Sequence, residues 1–77
     1  MDARELQMHE GKRLRLEFRD GQVVKARLIH VDPGPPAEII YDRVEVLEAG
    51  PAPLPRLEPQ SGVTAKLEEL TRYELVS

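Results

Sequence analysis

The chain of 77 residues contains no cysteine and no tryptophan, and its only aromatic side chains are those of Phe18, Tyr41 and Tyr73. The absence of cysteine excludes disulfide bonds and zinc sites built on thiolates. So few aromatic residues argue against a surface that stacks nucleic-acid bases, because such surfaces depend on exposed rings. No apolar run reaches the length of a signal peptide or a membrane span. We therefore expect a cytoplasmic protein with no membrane partner.

Length and charge indicate a single small domain over residues 1–77. The hydrophobic fraction of 40% suffices for a core, and the net charge of −3 argues against binding nucleic acid by bulk electrostatics. The charge is uneven: residues 1–31 hold seven Lys and Arg against five Asp and Glu, whereas residues 32–77 hold four against nine. A polyanionic partner would therefore meet the N-terminal half.

The clearest local pattern is a β-hairpin. Apolar and polar residues alternate from Arg13 to Arg19, and the second strand continues to about Asp32. A two-residue loop at Asp20-Gly21 would place aliphatic side chains opposite charged ones. A three-residue loop that includes Arg19 pairs apolar with apolar residues, so this register is favoured and predicts a positive φ at Gly21. Broken alternation between residues 28 and 31 predicts a bend in the second strand.

The remaining segments are less regular. Residues 2–9 predict a short helix or an irregular lead-in, with Asp2 as a possible N-cap, and residues 39–48 predict a third strand. Four prolines predict a loop over residues 50–62. Residues 65–75 allow a single helix, but the spacing of apolar residues favours a strand over 63–66, a 3₁₀ turn over 67–70 and a last strand over 72–76.

The hairpin resembles the first motif of the Sm-like family. The residues that carry the resemblance span about a third of the chain: Gly11, Lys12, Leu14, Leu16, Phe18, Asp20, Gly21, Val24, Ala26, Leu28, Val31 and Asp32. The resemblance implies an all-β fold, namely a small five-stranded SH3-like (Sm-like) barrel with a short N-terminal helix or lead-in and a 3₁₀ turn before the last strand.

Three positions depart from the motifs of RNA-binding Sm proteins. Ala26 stands where the family usually has glycine, and Pro33 to Pro36 follow Asp32 where RNA-binding members carry an asparagine. Residues 68–72, Glu-Glu-Leu-Thr-Arg, stand where the family has Arg-Gly or Lys-Gly. The resemblance therefore supports the fold more strongly than it supports RNA binding.

A cationic face on the hairpin is the candidate nucleic-acid site. If the strands alternate as predicted, the solvent side carries one acidic residue, Glu17, and five basic ones: Arg13, Arg15, Arg19, Lys25 and Arg27. Five cations on one face would contact phosphates and give salt-dependent binding to RNA. The alternative is that these side chains only solvate the outer face of a small barrel, as charged residues commonly do.

Other candidate sites are weaker. Residues 41–43 interrupt the alternation of the third strand and allow three alternatives: Arg43 pairs with Asp42 or Glu45, a bulge presents Tyr41 outward, or Tyr41 packs as a lid on the core. The prolines of residues 50–62 could dock a protein partner as an extended segment. With His9 and His30 as the only histidines and no nucleophile beside a base, we expect no metal, no cofactor and no catalytic residue.

The last strand suggests self-association. Tyr73, Leu75 and Val76 lie on a strand with no proline or lysine to protect its edge. In Sm-like proteins the fourth and fifth strands pair between subunits to close rings, so the resemblance implies a homo-oligomer that uses these residues. We therefore expect a non-enzymatic binding and assembly module with RNA as a candidate ligand. The alternative is an SH3-like protein-interaction domain that binds no nucleic acid.

Overall fold

A computed structural model describes residues 1–48 and 60–76 of the chain. Within these residues a short helix precedes five strands, and a 3₁₀ turn separates the last two strands. The elements are α1 (Ala3–Gln7), β1 (Arg13–Phe18), β2 (Val23–Asp32), β3 (Glu38–Glu48), β4 (Gln60–Lys66), the 3₁₀ turn (Leu67–Glu69) and β5 (Leu70–Leu75). All neighbouring strands are antiparallel, and their order across the sheet is β4-β3-β2-β1-β5.

The β1–β2 hairpin has the predicted register. Leu14 lies opposite Ala26 and Leu16 lies opposite Val24. The Phe18 N–H donates to the Gln22 carbonyl at 2.9 Å, and the Gly21 φ is 90°, as the three-residue loop requires. The two-residue loop is therefore wrong, because it would have placed aliphatic residues opposite charged ones.

The bend in β2 comes from a β-bulge. Leu28 lies opposite Tyr41 and His30 lies opposite Ile40, which leaves Ile29 without a partner on β3. The buried side of β2 therefore changes parity between Leu28 and Val31, both of which are fully buried. This confirms the bend expected from the broken alternation, since an extra residue shifts the pleat by one position.

The N-terminal helix covers the part of β2 that extends beyond β1. The Asp2 carboxylate accepts a hydrogen bond from the Arg4 N–H at 2.9 Å, which confirms the N-cap. Leu6 is fully buried against the sheet. The Val31 carbonyl accepts from Nε2 of Gln7, the last residue of α1, at 3.1 Å, and the Val31 N–H donates to Glu10 Oε2 at 2.7 Å. These side chains satisfy backbone groups that β1 does not reach.

The core lies on one side of the sheet, between α1, the strands and the 3₁₀ turn. Its buried members come from both ends of the described chain: Leu6, Leu14, Leu16, Phe18, Val24, Ala26, Leu28, Val31, Ile39, Tyr41, Leu67 and Leu70. The rings of Phe18 and Tyr41 stack with centroids 6.0 Å apart. Tyr41 is therefore the core lid expected from one interpretation of the sequence, and its outward presentation is wrong.

The C-terminal half differs from the sequence prediction in its boundaries. The split into a strand, a 3₁₀ turn and a strand is correct, and a single helix over residues 65–75 is wrong, because Tyr73 and Leu75 pair with β1. Strand β4 already begins at Gln60, so the loop predicted for residues 50–62 is wrong at its end. The rest of that proline-rich segment lies outside the described residues.

Candidate nucleic-acid site and sheet edges

The outer face of the hairpin is built from cross-strand pairs. Arg13 lies opposite Arg27, and Arg15 lies opposite Lys25. Because Phe18 and Gln22 form a hydrogen-bonded pair, the pairs an odd number of residues away are non-hydrogen-bonded pairs. In such pairs the Cα atoms are closest, at about 4.5 Å. Two like-charged pairs therefore lie at the positions where cross-strand side chains are nearest to each other.

The Arg15–Lys25 pair is flanked by carboxylates from its own hairpin and from the neighbouring strands β3 and β5. Arg15 Nη1 lies 3.2 Å from Glu17 Oε2 and 3.9 Å from Glu74 Oε1. Lys25 Nζ lies 4.0 Å from Glu45 Oε2. The network continues on β5, where Arg72 approaches both Glu17 and Glu74. These two predicted site residues are thus already paired within the fold, and their charge is largely compensated.

Arg19 has a structural role at the end of the hairpin. Its Nε donates to the Glu68 carbonyl at 2.7 Å, and its backbone N–H donates to the Glu69 carbonyl at 2.8 Å. Both acceptors belong to the 3₁₀ turn, so this arginine fixes the turn to the hairpin. Arg19 also lines a cleft of about 410 Å³ beside Pro36 and Lys66. It therefore lies apart from the other four cations.

Arg13 and Arg27 differ from Arg15 and Lys25. In the part of the chain that the structure describes, neither forms an ion pair. Asp42 lies opposite Arg27 on β3, but its Oδ1 accepts a hydrogen bond from the Gly62 N–H at 3.0 Å. On the other side of Arg13 the next residue is Val76, which carries no charge. Of the five predicted cations, only Arg15 and Lys25 are therefore in ion pairs among the described residues, and Arg19 is held by backbone carbonyls of the 3₁₀ turn.

A shallow depression lies beside Arg13 and Lys25. Its volume is about 140 Å³, and its lining residues are Arg13, Leu14, Lys25, Ala26, Val44 and Val76. Val44 is a bulge residue, because Arg43 lies opposite Ala26 and Glu45 lies opposite Lys25. Its side chain is 41% exposed. The depression thus combines cationic groups with aliphatic ones.

The residues expected at an oligomer interface lie on or next to β5, an edge strand. Among the described residues β5 pairs with β1 and β4 pairs with β3, and neither has a second neighbour. The Val76 N–H donates to the Arg13 carbonyl at 3.0 Å, so alternate residues of β5 bond to β1. The backbone N–H and C=O groups of Tyr73 and Leu75 consequently point away from β1, toward the free edge.

The side chains at this edge have different environments. Leu75 is 54% exposed, whereas Tyr73 is half-buried beneath α1. The Tyr73 hydroxyl donates to Glu5 Oε1 at 3.2 Å, and its ring lies 5.6 Å from that of His9. Partial burial, followed by the hydrogen bond to Glu5, raises the pKa of the Tyr73 phenol. Leu75 is therefore the accessible apolar side chain of the strand.

The other polar candidates, His9, His30 and Arg43, each have a different partner and do not form one site. His30 Nδ1 lies 3.2 Å from Glu10 Oε2, and His9 faces Tyr73 instead. The alternative in which Arg43 pairs with Asp42 or Glu45 is wrong, because its Nη2 donates to Gln60 Oε1 at 2.9 Å. Over residues 1–48 and 60–76, no group of three or more His, Asp and Glu side chains is placed to hold a metal ion. None of the described helices is long and apolar enough to cross a membrane.

Sequence reasoning missed the carboxylates that decide the charge of the face. Glu45 and Glu74 reach the hairpin from β3 and β5, far from it in sequence. The sequence did indicate the direction of the Glu74 side chain, because Arg72 and Glu74 are two residues apart on the predicted last strand and therefore share one face. The pairing of β5 with β1 was needed before that signal could be placed beside Arg15.

Comparison with known proteins found no match to a family, to a curated protein or to a solved structure.

Proposed function

We propose that this chain is a non-enzymatic Sm-like module that assembles with copies of itself through the edges of its sheet. The observation that carries the proposal is the edge of β5 that no other described strand covers, toward which the backbone groups of Tyr73 and Leu75 point. An unpaired edge with an exposed leucine favours the addition of another strand. We expect β4, the other edge strand, of a second copy to pair antiparallel with β5.

Curvature of the sheet supports the Sm-like part of this proposal. The 3₁₀ turn of three residues connects β4 and β5, which are the two opposite edges of the sheet. In a flat five-stranded sheet these edges would be about 19 Å apart, at about 4.8 Å per strand. A three-residue 3₁₀ turn advances only about 6 Å. A sheet that curls into a small barrel meets this constraint, and the bulge at Ile29 bends β2 in the way that closure needs.

RNA remains the proposed ligand of the module. The support is the cross-strand pair of Arg13 and Arg27, neither of which forms an ion pair among the described residues. The acidic side chains around Arg15 and Lys25 limit the RNA contact to a short stretch of the phosphate backbone. A protein-interaction domain that uses Tyr41 is disfavoured, because that side chain is 2% exposed.

Native mass spectrometry of the full chain, purified without nuclease at moderate salt, tests the proposal. We expect a closed assembly of five to seven copies, as the Sm resemblance implies, and bound nucleic acid would support the RNA part. A monomer at micromolar concentration would overturn the assembly part. That result would favour the alternative, an SH3-like protein-interaction domain that binds no nucleic acid.

A further inference from the structure

The edge of β4 that no other described strand covers carries the backbone groups of Thr64 and Lys66. The Leu67 N–H donates to the Ala37 carbonyl at 2.9 Å, in register with the β3–β4 ladder. Alternate residues of β4 therefore bond to β3, and the residues between them direct their N–H and C=O groups away from it. Ala65 packs against the core, so the side chains of Thr64 and Lys66 lie on the outer side of the sheet.

On the corresponding edge of β5, the outward backbone groups belong to residues whose side chains lie on the core side of the sheet. The backbone groups of Tyr73 and Leu75 point away from β1. Their side chains lie on the core side, because their partners on β1, Leu16 and Leu14, are fully buried. In an antiparallel pair, the residues that exchange hydrogen bonds lie directly opposite each other with their side chains on one face. Antiparallel pairing of β5 with β4 of a second copy therefore places Lys66 of that copy on the core side of β5.

Lys66 of the second copy comes close to Tyr73 in both registers that pair Tyr73 with an outward residue of β4. If Tyr73 lies opposite Lys66, the two side chains are direct cross-strand neighbours, with Cβ atoms about 5 Å apart. If Tyr73 lies opposite Thr64, Lys66 is its diagonal neighbour at about 7–8 Å, a distance that the long side chain of lysine spans. The ammonium group of Lys66 therefore reaches the surroundings of the Tyr73 ring in either case.

The core side of β5 is acidic at this edge, because Tyr73 contacts α1. The Tyr73 hydroxyl donates to Glu5 Oε1 at 3.2 Å. Partial burial, this hydrogen bond and then the negative charges of Glu5 and Asp2 raise the pKa of the Tyr73 phenol. The cation of α1, Arg4, precedes Glu5 and lies about 100° away around the helix. The helix and its cap thus bring carboxylates to the side of β5 on which pairing places Lys66 of the second copy.

We propose that Lys66 of one copy forms an ion pair with Glu5 of the next, so that α1 is part of the assembly interface. The inference rests on the proposed function, because the pair forms only if β5 and β4 of neighbouring copies join. In its own chain Lys66 lies opposite Glu38 on β3, so pairing places the ammonium group between one carboxylate of each copy. Joining two β5 edges would instead bring the acidic residues of two α1 helices together, which disfavours that alternative.

Mixing two charge-reversed chains tests the ion pair, because it separates contacts between copies from contacts within one copy. Lys66→Glu and Glu5→Lys each replace attraction by repulsion, and each alone should weaken association by about 2- to 30-fold per interface. An equimolar mixture of the two variants should assemble as the unaltered chain does. In the mixture each altered side chain faces the altered one of the other variant, and the two unaltered residues face each other. Native mass spectrometry with ¹⁵N in one variant identifies the assemblies that contain both.

Lys66→Glu combined with Glu38→Lys in one chain is the matched control, because Glu38 is the carboxylate opposite Lys66 within the chain. This combination should not restore assembly. Restoration by Glu38→Lys would overturn the proposal, and so would a mixture that assembles no better than either variant alone. Glu5→Gln keeps an acceptor for the Tyr73 hydroxyl and provides a second variant if Glu5→Lys does not fold. It should weaken association by a factor that disappears in 1 M salt, where exposed charges are screened.

Failure of the ion pair is distinguishable from failure of the proposed function. If the unaltered chain is a monomer, the strand-edge assembly and the ion pair are both refuted. If the unaltered chain assembles and Lys66→Glu leaves its association constant unchanged, only the ion pair is refuted, and assembly through the sheet edges stands.

Discussion

Replacing Leu75 with lysine should dissociate the assembly while leaving the protomer folded. Leu75 is 54% exposed in the single chain, so about half of its side chain remains available for burial in an interface. Complete burial of a leucine side chain is worth about 1.5–3 kcal/mol. The available half therefore contributes about 0.8–1.6 kcal/mol to each interface, which corresponds to about 4- to 15-fold in the association constant.

Lysine adds a second cost, because its ammonium group would have to be desolvated beside the neighbouring strand. In a closed ring every protomer contributes to two interfaces, so the loss acts on each of them. We expect sedimentation velocity at micromolar concentration to show a monomer for Leu75→Lys and an oligomer for the unaltered chain. The thermal midpoint of the isolated protomer should change little, because the side chain is already half exposed.

Ile29→Lys is the matched control. Ile29 is 43% exposed, close to the value for Leu75, but it lies on β2, in the interior of the sheet order and away from either edge. It should leave the assembly intact. The reasoning is refuted if Leu75→Lys remains an oligomer, or if the two variants dissociate to the same extent.

A proline at the same position separates backbone pairing from apolar contact. Because the Leu75 N–H points away from β1, Leu75→Pro removes a donor at the free edge without removing a bond to β1. Leu75→Thr shortens the apolar side chain and keeps the N–H. Greater dissociation for proline than for threonine indicates strand pairing across the interface, and the difference should be about 0.5–1.5 kcal/mol per bond.

Two predictions concern stability. Burial raises the pKa of the Tyr41 phenol, with Arg43 opposing and Asp20 adding to the shift. Since the unfolded chain ionises at about pH 10, stability should be complete below that pH and fall above it, by at most about 1.4 kcal/mol per pH unit from this group. Urea denaturation from pH 8 to 11 should show a smaller decline for Tyr41→Phe; an identical decline would exclude Tyr41 as its source. Leu16→Ala should lower the free energy of unfolding by about 2–5 kcal/mol, because Leu16 is fully buried, whereas Ile29→Ala should cost about 0.5 kcal/mol or less. Similar losses from both alanine variants, measured by urea denaturation at pH 7, would contradict the placement of the core.

The hairpin was predictable because its determinants are local. The alternation over β1 and the choice between the two registers depend only on residues of the two strands that this tight turn connects. The apolar pairing of Leu16 with Val24 decides that choice. The bulge at Ile29 was also visible, since two neighbouring non-core residues, Ile29 and His30, interrupt the pattern. These features need no knowledge of the rest of the chain.

The start of β4 was not predictable by the same reasoning. Residues 60–62, Gln-Ser-Gly, have low strand propensity and follow four prolines, so their composition indicates a loop. They form a strand because β3 offers an unpaired edge: Arg43 lies opposite Gln60, and its side chain donates to Gln60 Oε1. Tertiary pairing thus overrides local preference at this point.

The charge of the candidate site also depends on strands that are distant in sequence, because β3 and β5 bring carboxylates to the hairpin. These carboxylates change the salt dependence that we expect for RNA binding. The hairpin alone shows five cations on one face, which for five phosphate contacts would give a slope of about −3.5 in a plot of log affinity for single-stranded RNA against log salt. In the fold, Arg15 and Lys25 are paired with carboxylates and Arg19 is bonded to the 3₁₀ turn. If RNA contacts only the cations without ion pairs on this face, through one phosphate, the expected slope is about −0.7 per protomer.

The slope of log affinity against log salt therefore shows whether the ion pairs of the fold persist when RNA is bound. A value near −0.7 per protomer means that Glu45 and Glu74 remain paired with Lys25 and Arg15 while RNA is bound. A value near −3.5 means that RNA displaces those carboxylates, which requires the exposed ion pairs to be weak. Exposed ion pairs of this kind commonly contribute less than about 1 kcal/mol. The variant Glu74→Gln therefore provides the decisive comparison. It should make the slope steeper only if Glu74 competes with phosphate for Arg15.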